Sequence, residues 1–168
     1  MENTIFLPIF AKEIKLDGFS KHHYYDNLMN GSIIMKETID EKSKEALVRY
    51  CFNRAEEAVA EAGILSKESH HNAAINRLYY GCFYATSALL LSNGISVSSH
   101  DGVKTMLGLR FVSTGLFQYE HGNTLSRLFE IRHSDEFDYF VYCDKAMVDE
   151  YIPKTKSFIE AVKSLLDV

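Results

Sequence analysis

Arg127 and His133 stand six positions apart, and Arg132 stands six and seven positions before Asp138 and Tyr139. These residue types suit work on phosphate esters. A guanidinium can hold a phosphate and steady its developing charge, and a histidine titrating near neutral pH can move a proton. Two residues six apart on a straight helix point about 240° apart around the axis. Arg127 and His133 therefore converge only if the helix breaks before His133, which the polar run His133-Ser134-Asp135-Glu136 allows. Asp138 and Tyr139 offer Arg132 a different setting, for a carboxylate and a phenol are poor proton carriers at neutral pH unless their pKa values are strongly moved. Arg132 and Asp138 can also pair structurally, with the Tyr139 hydroxyl bonded to backbone or to Arg77. An internal lock and a ligand-facing polar cluster are both open readings of these residues.

The element that must position such a group is the stretch from Ala73 to Leu91, apolar or aromatic almost all the way round. Ile75, Leu78, Tyr79, Cys82, Phe83, Thr86, Leu89 and Leu90 follow helical spacing, and Tyr80, Tyr84, Ala88 and Leu91 form a second line headed by Arg77. One face can take the core of its own domain. The other needs a neighbouring helix or a second subunit, so Tyr80, Tyr84 and Leu91 are expected at a homodimer contact. Arg77 and the phenols then sit where water is partly excluded and need partners, which makes Arg77 a ligand-binding candidate beside Arg132 and Tyr139.

Four other helical segments surround this one. The first is expected from about Glu37 to Ala62, ending at Gly63 as a left-handed cap, with Leu47, Cys51, Ala55, Ala58 and Ala62 as a close-packing stripe. The second spans about His71 to Ser92 and ends at Asn93-Gly94. The third starts after Ser98-Ser99, turns Val103, Met106, Leu107 and Phe111 inward, and stops near Gly115. The fourth spans about Tyr119 to Arg132 with Leu125, Leu128 and Phe129 inward. The fifth, capped by Asp144, carries Val148, Ile152, Thr155, Ile159, Val162 and Leu166, with a kink expected at Pro153. No strand pair is legible, so the fold class is an all-α antiparallel bundle of four to five helices over residues 36–168. Residues 1–35 lack sustained periodicity and are expected to form a poorly structured or loosely packed extension.

Ala74-Ile75-Asn76-Arg77-Leu78-Tyr79-Tyr80 with Phe83 and Ala88-Leu89-Leu90-Leu91 resembles the second helix of HEPN domains, a family of nucleotide-binding helical bundles. Tyr50-Cys51-Phe52-Asn53-Arg54-Ala55-Glu56-Glu57-Ala58 is similar to the family's first helix, and Ser99-His100-Asp101-Gly102-Val103 resembles the turn into its third. Leu128-Phe129-Glu130-Ile131-Arg132, followed by Asp138-Tyr139, resembles an Arg…Asp-Tyr element of one small prokaryotic branch. The resemblance covers about residues 36 to 166. In members that cut RNA it implies an arginine, four to six residues, then a histidine, which moves the 2′-hydroxyl proton while the arginine holds the phosphate. Arg132 takes the arginine position, but Phe137, Asp138 and Tyr139 stand where the histidine would be. The catalytic candidates are thus Arg132, Asp138 and Tyr139, with Arg127 and His133 as the second pair.

The resemblance further implies a homodimer that partners a minimal nucleotidyltransferase in a toxin–antitoxin-like system, with RNA or a nucleotide as ligand. In related pairs the nucleotidyltransferase modifies a tyrosine near the arginine motif, here Tyr139 or Tyr142. A ribonuclease with an altered catalytic group is the competing enzymatic reading. A non-catalytic nucleotide- or protein-binding module is the alternative from another class.

Composition narrows the field. The 168 residues carry a formal net charge of −5, so no overall positive field draws the chain onto nucleic acid. Any RNA contact has to be local, and Lys104, Arg110, Arg127 and Arg132 are the best basic group. Cys51, Cys82 and Cys143 fall at no metal or redox spacing, and the pairs His22-His23 and His70-His71 direct adjacent rings apart. No metal or cofactor is implied. Gly102-Val103-Lys104-Thr105 lacks the earlier glycine of a phosphate-binding loop. With no apolar run of membrane length and no basic region ahead of the short apolar patch at the N-terminus, a cytoplasmic protein is expected.

Overall fold

The computed structural model describes residues 41–97, 99–133 and 142–166. Among the described residues there are five α-helices and no strand: α1 (Glu41–Lys67), α2 (His71–Ser92), α3 (His100–Leu107), α4 (Tyr119–His133) and α5 (Lys145–Leu166). A π-helical turn, Gly108–Val112, follows α3 directly. The extension expected over residues 1–35 lies outside the described residues.

Helix α2 is the axis of the bundle, and α1, α3, α4 and α5 all pack on it. Its two apolar lines explain this arrangement. Buried side chains run from Ala74 to Leu90 around most of its circumference, and each large one removed from water contributes roughly 1.5–3 kcal/mol. Helix α1 lies against it through Cys51, Ala55, Ala58 and Ala62, all buried. Their small size lets the two backbones approach. The closest approach is at Gly81, where an added Cβ would lie 3.1 Å from Thr155 Cγ2, 3.3 Å from Val59 Cγ2 and 3.4 Å from the Ala55 carbonyl oxygen. α1, α2 and α5 thus meet at a residue with no side chain. Burial pushes the Cys51 and Cys82 thiols up to about 12, so both behave as small apolar groups.

Helix α1 does not end at Gly63. It continues for another turn to Lys67, burying Ser66 on the stripe that Ala62 belongs to. Ser69 takes the left-handed conformation instead, with φ 61°. The His70 amide bonds to the Leu65 carbonyl at 2.8 Å and the Ser69 amide to the Ser66 carbonyl at 3.1 Å, the paired bonds of a Schellman cap. The same motif closes α2, with Gly94 at φ 68° and the Ile95 amide bonded to Leu90 at 2.9 Å.

Ser99 caps α3, its Oγ accepting from the Gly102 amide at 3.0 Å. The expected run of one helix to Gly115 is interrupted, because the Ser113 amide reaches back five residues to Gly108. This wider turn keeps Phe111 in the core. It also seats Val112 against Gly122 of α4, where a Cβ would meet Val112 Cγ2 at 2.9 Å. Asp144 caps α5 through the Met147 amide at 2.9 Å, and α5 runs on both sides of Pro153.

Gly81→Val is expected to lower the unfolding free energy by about 1–3 kcal/mol, because a branched side chain has to displace Thr155, Val59 or the α1 backbone. Urea denaturation checks this. An unchanged midpoint would show that α1 and α5 can separate here without loss.

Candidate functional site

Tyr79, Tyr80, Phe83 and Tyr84 form an aromatic wall on α2, because positions four apart share a helix face and adjacent pairs widen it. Tyr79 is fully buried and Tyr80 and Tyr84 are half-buried. A buried phenol needs a hydrogen-bond partner, and the first residue of α3 supplies it. The Ser99 cap fixes the start of that helix and brings His100 Nδ1 to 2.6 Å from the Tyr79 hydroxyl. The His100 ring also rests on Phe83, with centroids 4.7 Å apart.

Burial raises the Tyr79 pKa, so the phenol keeps its proton. Burial first, then the positive charge of Arg132 and the neighbouring His133, lower His100 to about 4. The contact therefore joins a neutral phenol to a neutral imidazole.

The last turn of α4 brings Arg132 to the same wall. Its guanidinium carbon lies 5.2 Å from the Tyr79 ring centre and 5.5 Å from that of Tyr80, and Nη2 donates to the Tyr80 hydroxyl oxygen at 3.4 Å. Cation–π attraction holds it there. Two other arginines flank the wall but are neutralised: Arg77 stacks over Tyr80 at 5.1 Å and pairs with Glu61 at 3.3 Å, while Arg54 stacks over Tyr84 at 5.7 Å and pairs with Glu57. Among the described residues no carboxylate lies within ion-pair distance of Arg132. One turn before Tyr80 on the same face, the buried Asn76 Oδ1 finds no donor among the described residues. A half-buried cation and an orphan acceptor beside an aromatic face form a site suited to an anion that also carries a donor.

The other predicted residues distribute as follows. Helix α4 continues through His133 rather than breaking before it, which keeps Arg127 and His133 on different sides. Arg127 is exposed and pairs with Glu130 at 3.0 Å. The His133 ring stacks on Phe129 at 3.9 Å, with Nδ1 2.9 Å from the Phe129 carbonyl oxygen. Asp138 and Tyr139 lie outside the described residues. Lys104 stands over Phe129 at 4.1 Å, whereas Arg110 is exposed on the π-helical turn. Tyr80, Tyr84 and Leu91 are not the bare stripe expected of a single chain, since all three are half-buried within it. Tyr142, 82% exposed, borders an open cleft of about 330 Å³ with Ser69, His70, His71, Asn72 and Cys143. Among the described residues no three metal-ligating side chains come together, and no helix is long and apolar enough to cross a membrane. His100 and Tyr79 are the site residues that sequence reasoning missed. The signals were a buried phenol in need of a partner and a histidine just after a serine cap.

The linkage sign follows from His100. As pH falls, the unfolded imidazole takes up its proton near 6.5 and the folded one only near 4, so stability present above the first value is lost on the way to the second. The melting temperature is expected to fall across that window, and to fall less in His100→Gln. His121, also held below its ordinary value by burial, contributes with the same sign, so the difference between the two proteins is the quantity to read. Identical slopes would remove His100 as the cause.

Residues 48–165 match the model of the HEPN domain. A UPF0332 protein of Thermotoga maritima is 36% identical over 124 residues, which cover 74% of this chain and 94% of that protein. Two proteins of Methanocaldococcus jannaschii named as candidate toxins are also similar. One is 29% identical over 67% of this chain and 83% of its own length, and the other 25% identical over 67% and 77%. With a family model over most of its length and a relative of this identity and coverage, the chain belongs to the HEPN domain family.

Proposed function

We propose that the chain is the toxin-like member of a two-component pair whose other member is a small nucleotidyltransferase, and that its Arg132 cluster binds the phosphate of a nucleotide or of RNA. The observation that carries this reading is the charge of Arg132. It is held against Tyr79 and Tyr80 with no carboxylate beside it among the described residues, while Arg54 and Arg77 each have one. The candidate-toxin names of two relatives support the toxin-like part. Phosphate binding is separable from cleavage. Phe137, Asp138 and Tyr139 stand at the positions of the family histidine, so the general acid–base help that histidine would give, typically about 10²–10⁴-fold, is not supplied from those positions.

Expression of the wild type is expected to slow growth, Arg132→Ala to relieve it, and bulk RNA to stay intact in both. Equal growth of the two strains would remove Arg132 from the function. Arg132-dependent loss of RNA would establish the ribonuclease reading instead. The protein is further proposed to act as a homodimer, using the parts of Tyr80, Tyr84 and Leu91 left uncovered by its own chain. Light scattering at micromolar concentration is expected to give twice the chain mass, and the chain mass alone would end that part of the reading.

A further inference from the structure

Arg77 and Arg132 come from different helices but rest on the same ring. Their guanidinium carbons lie 5.1 and 5.5 Å from the centre of Tyr80, so the two charges can be no farther apart than about twice that distance. Around α2, position 77 stands to one side of position 80 and position 79 to the other, and Arg132 also rests on Tyr79, at 5.2 Å. The two cations thus approach Tyr80 from its two sides, with the ring between them. We propose that Arg77 is a second phosphate contact, occupied in the free protein by Glu61, and that the site takes two phosphates separated by one ribose rather than a single phosphate or a pyrophosphate. This inference rests on the reading of Arg132 as a phosphate site and adds the footprint that the site selects.

Two positive charges this close repel, and one carboxylate serves both. Glu61 of α1 reaches Arg77 Nη1 by a single contact of 3.3 Å, and its side chain is 40% exposed against 33% for Arg77. An ion pair so open to water is worth little and exchanges readily. A phosphate offers the guanidinium two oxygens in place of one, with more charge behind them. Among the described residues Arg132 has no carboxylate at ion-pair distance, so Glu61 leaves the pair one negative charge short. Arg54 does not join them, since it pairs with Glu57 on its own helix and stacks on Tyr84. When a ligand arrives, Glu61 is released to water and no covalent bond changes.

Tyr80 sets the spacing. Its hydroxyl oxygen accepts from Arg132 Nη2 at 3.4 Å, which leaves its own proton to give. The ring lies between the two cations, where the sugar joining two phosphates has to pass, and a ribose oxygen can accept that proton. A phosphate at Arg132, a sugar oxygen at Tyr80 and a phosphate at Arg77 follow the repeat of a nucleotide chain. A pyrophosphate carries its charges on either side of one bridging oxygen, with no sugar between, and so keeps both on one side of the ring.

The test measures binding to the full-length chain by isothermal titration calorimetry at one pH and one ionic strength. The probes are adenosine 5′-monophosphate, adenosine 5′-diphosphate and adenosine 3′,5′-bisphosphate. The bisphosphate is expected to bind at least about tenfold more tightly than the other two. Arg77→Gln is expected to remove that gain and to leave monophosphate binding as it was, which also shows that the altered site is still folded. Glu61→Gln is expected to strengthen bisphosphate binding several-fold and monophosphate binding by less. Arg132→Ala is expected to abolish binding of all three. The inference is overturned, with the phosphate reading left standing, if the diphosphate binds as tightly as the bisphosphate or if Arg77→Gln keeps the gain. Equal loss of monophosphate and bisphosphate in Arg77→Gln, or unchanged bisphosphate binding in Glu61→Gln, overturns it in the same way. No Arg132-dependent binding by any probe ends the phosphate reading and the inference together.

Discussion

The structure depends on the need to cover one helix on nearly every side. α2 carries too much apolar and aromatic surface for a two-layer arrangement, and the other four described α-helices all pack on it. The enclosure is tightest where side chains are smallest. Ala55, Ala58 and Ala62 on α1 and Gly81 on α2 bring backbones together, and Thr155 of α5 closes over the same point. Close packing at one level fixes the helix axes, and fixed axes set where the larger side chains at the other levels can lie. The aromatic wall is one of those levels. Tyr79 is immobilised by the core on its buried side, so groups that dock on it inherit that rigidity.

Much of this was legible in the sequence, for identifiable reasons. The four-three spacing through α5, the Ser99 and Asp144 caps and the Asn93-Gly94 stop are local signals, and local signals survive folding intact. The misplaced end of α1 shows the limit. Gly63 is the better intrinsic cap, but the buried Ser66 one turn later extends the apolar stripe, and tertiary packing outweighs a preference of about 1 kcal/mol. The π-helical turn was invisible for a related reason, since Val112 is drawn toward Gly122 of another helix. Long-range complementarity of that kind leaves no mark on the residues around Gly108.

At the candidate site, Arg132 stands out along the chain because a linear motif marks it. No such motif marks His100, whose contact with Tyr79 spans twenty-one positions. Spacing along one helix made Arg127 and His133 look like partners, and an unbroken α4 separates them. The electrostatics tell a similar story of local over global. A net charge of −5 predicts nothing at Arg132, because among the described residues Glu57, Glu61 and Glu130 pair with Arg54, Arg77 and Arg127 instead.

Drawing Tyr79, His100 and Arg132 from three helices has a consequence for the timing of synthesis. The chain emerges from its N-terminus, so α1 and α2 can form a hairpin while α4 is still unmade. That hairpin holds the wall but neither Arg132 nor His100. A nascent or truncated product lacking α4 therefore lacks the Arg132 cluster, and the candidate site is complete only when translation has passed the fourth helix and the bundle has closed. Any agent that undocks α4 alone takes Arg132 away from the Tyr79 and Tyr80 rings while α1 and α2 keep their packing.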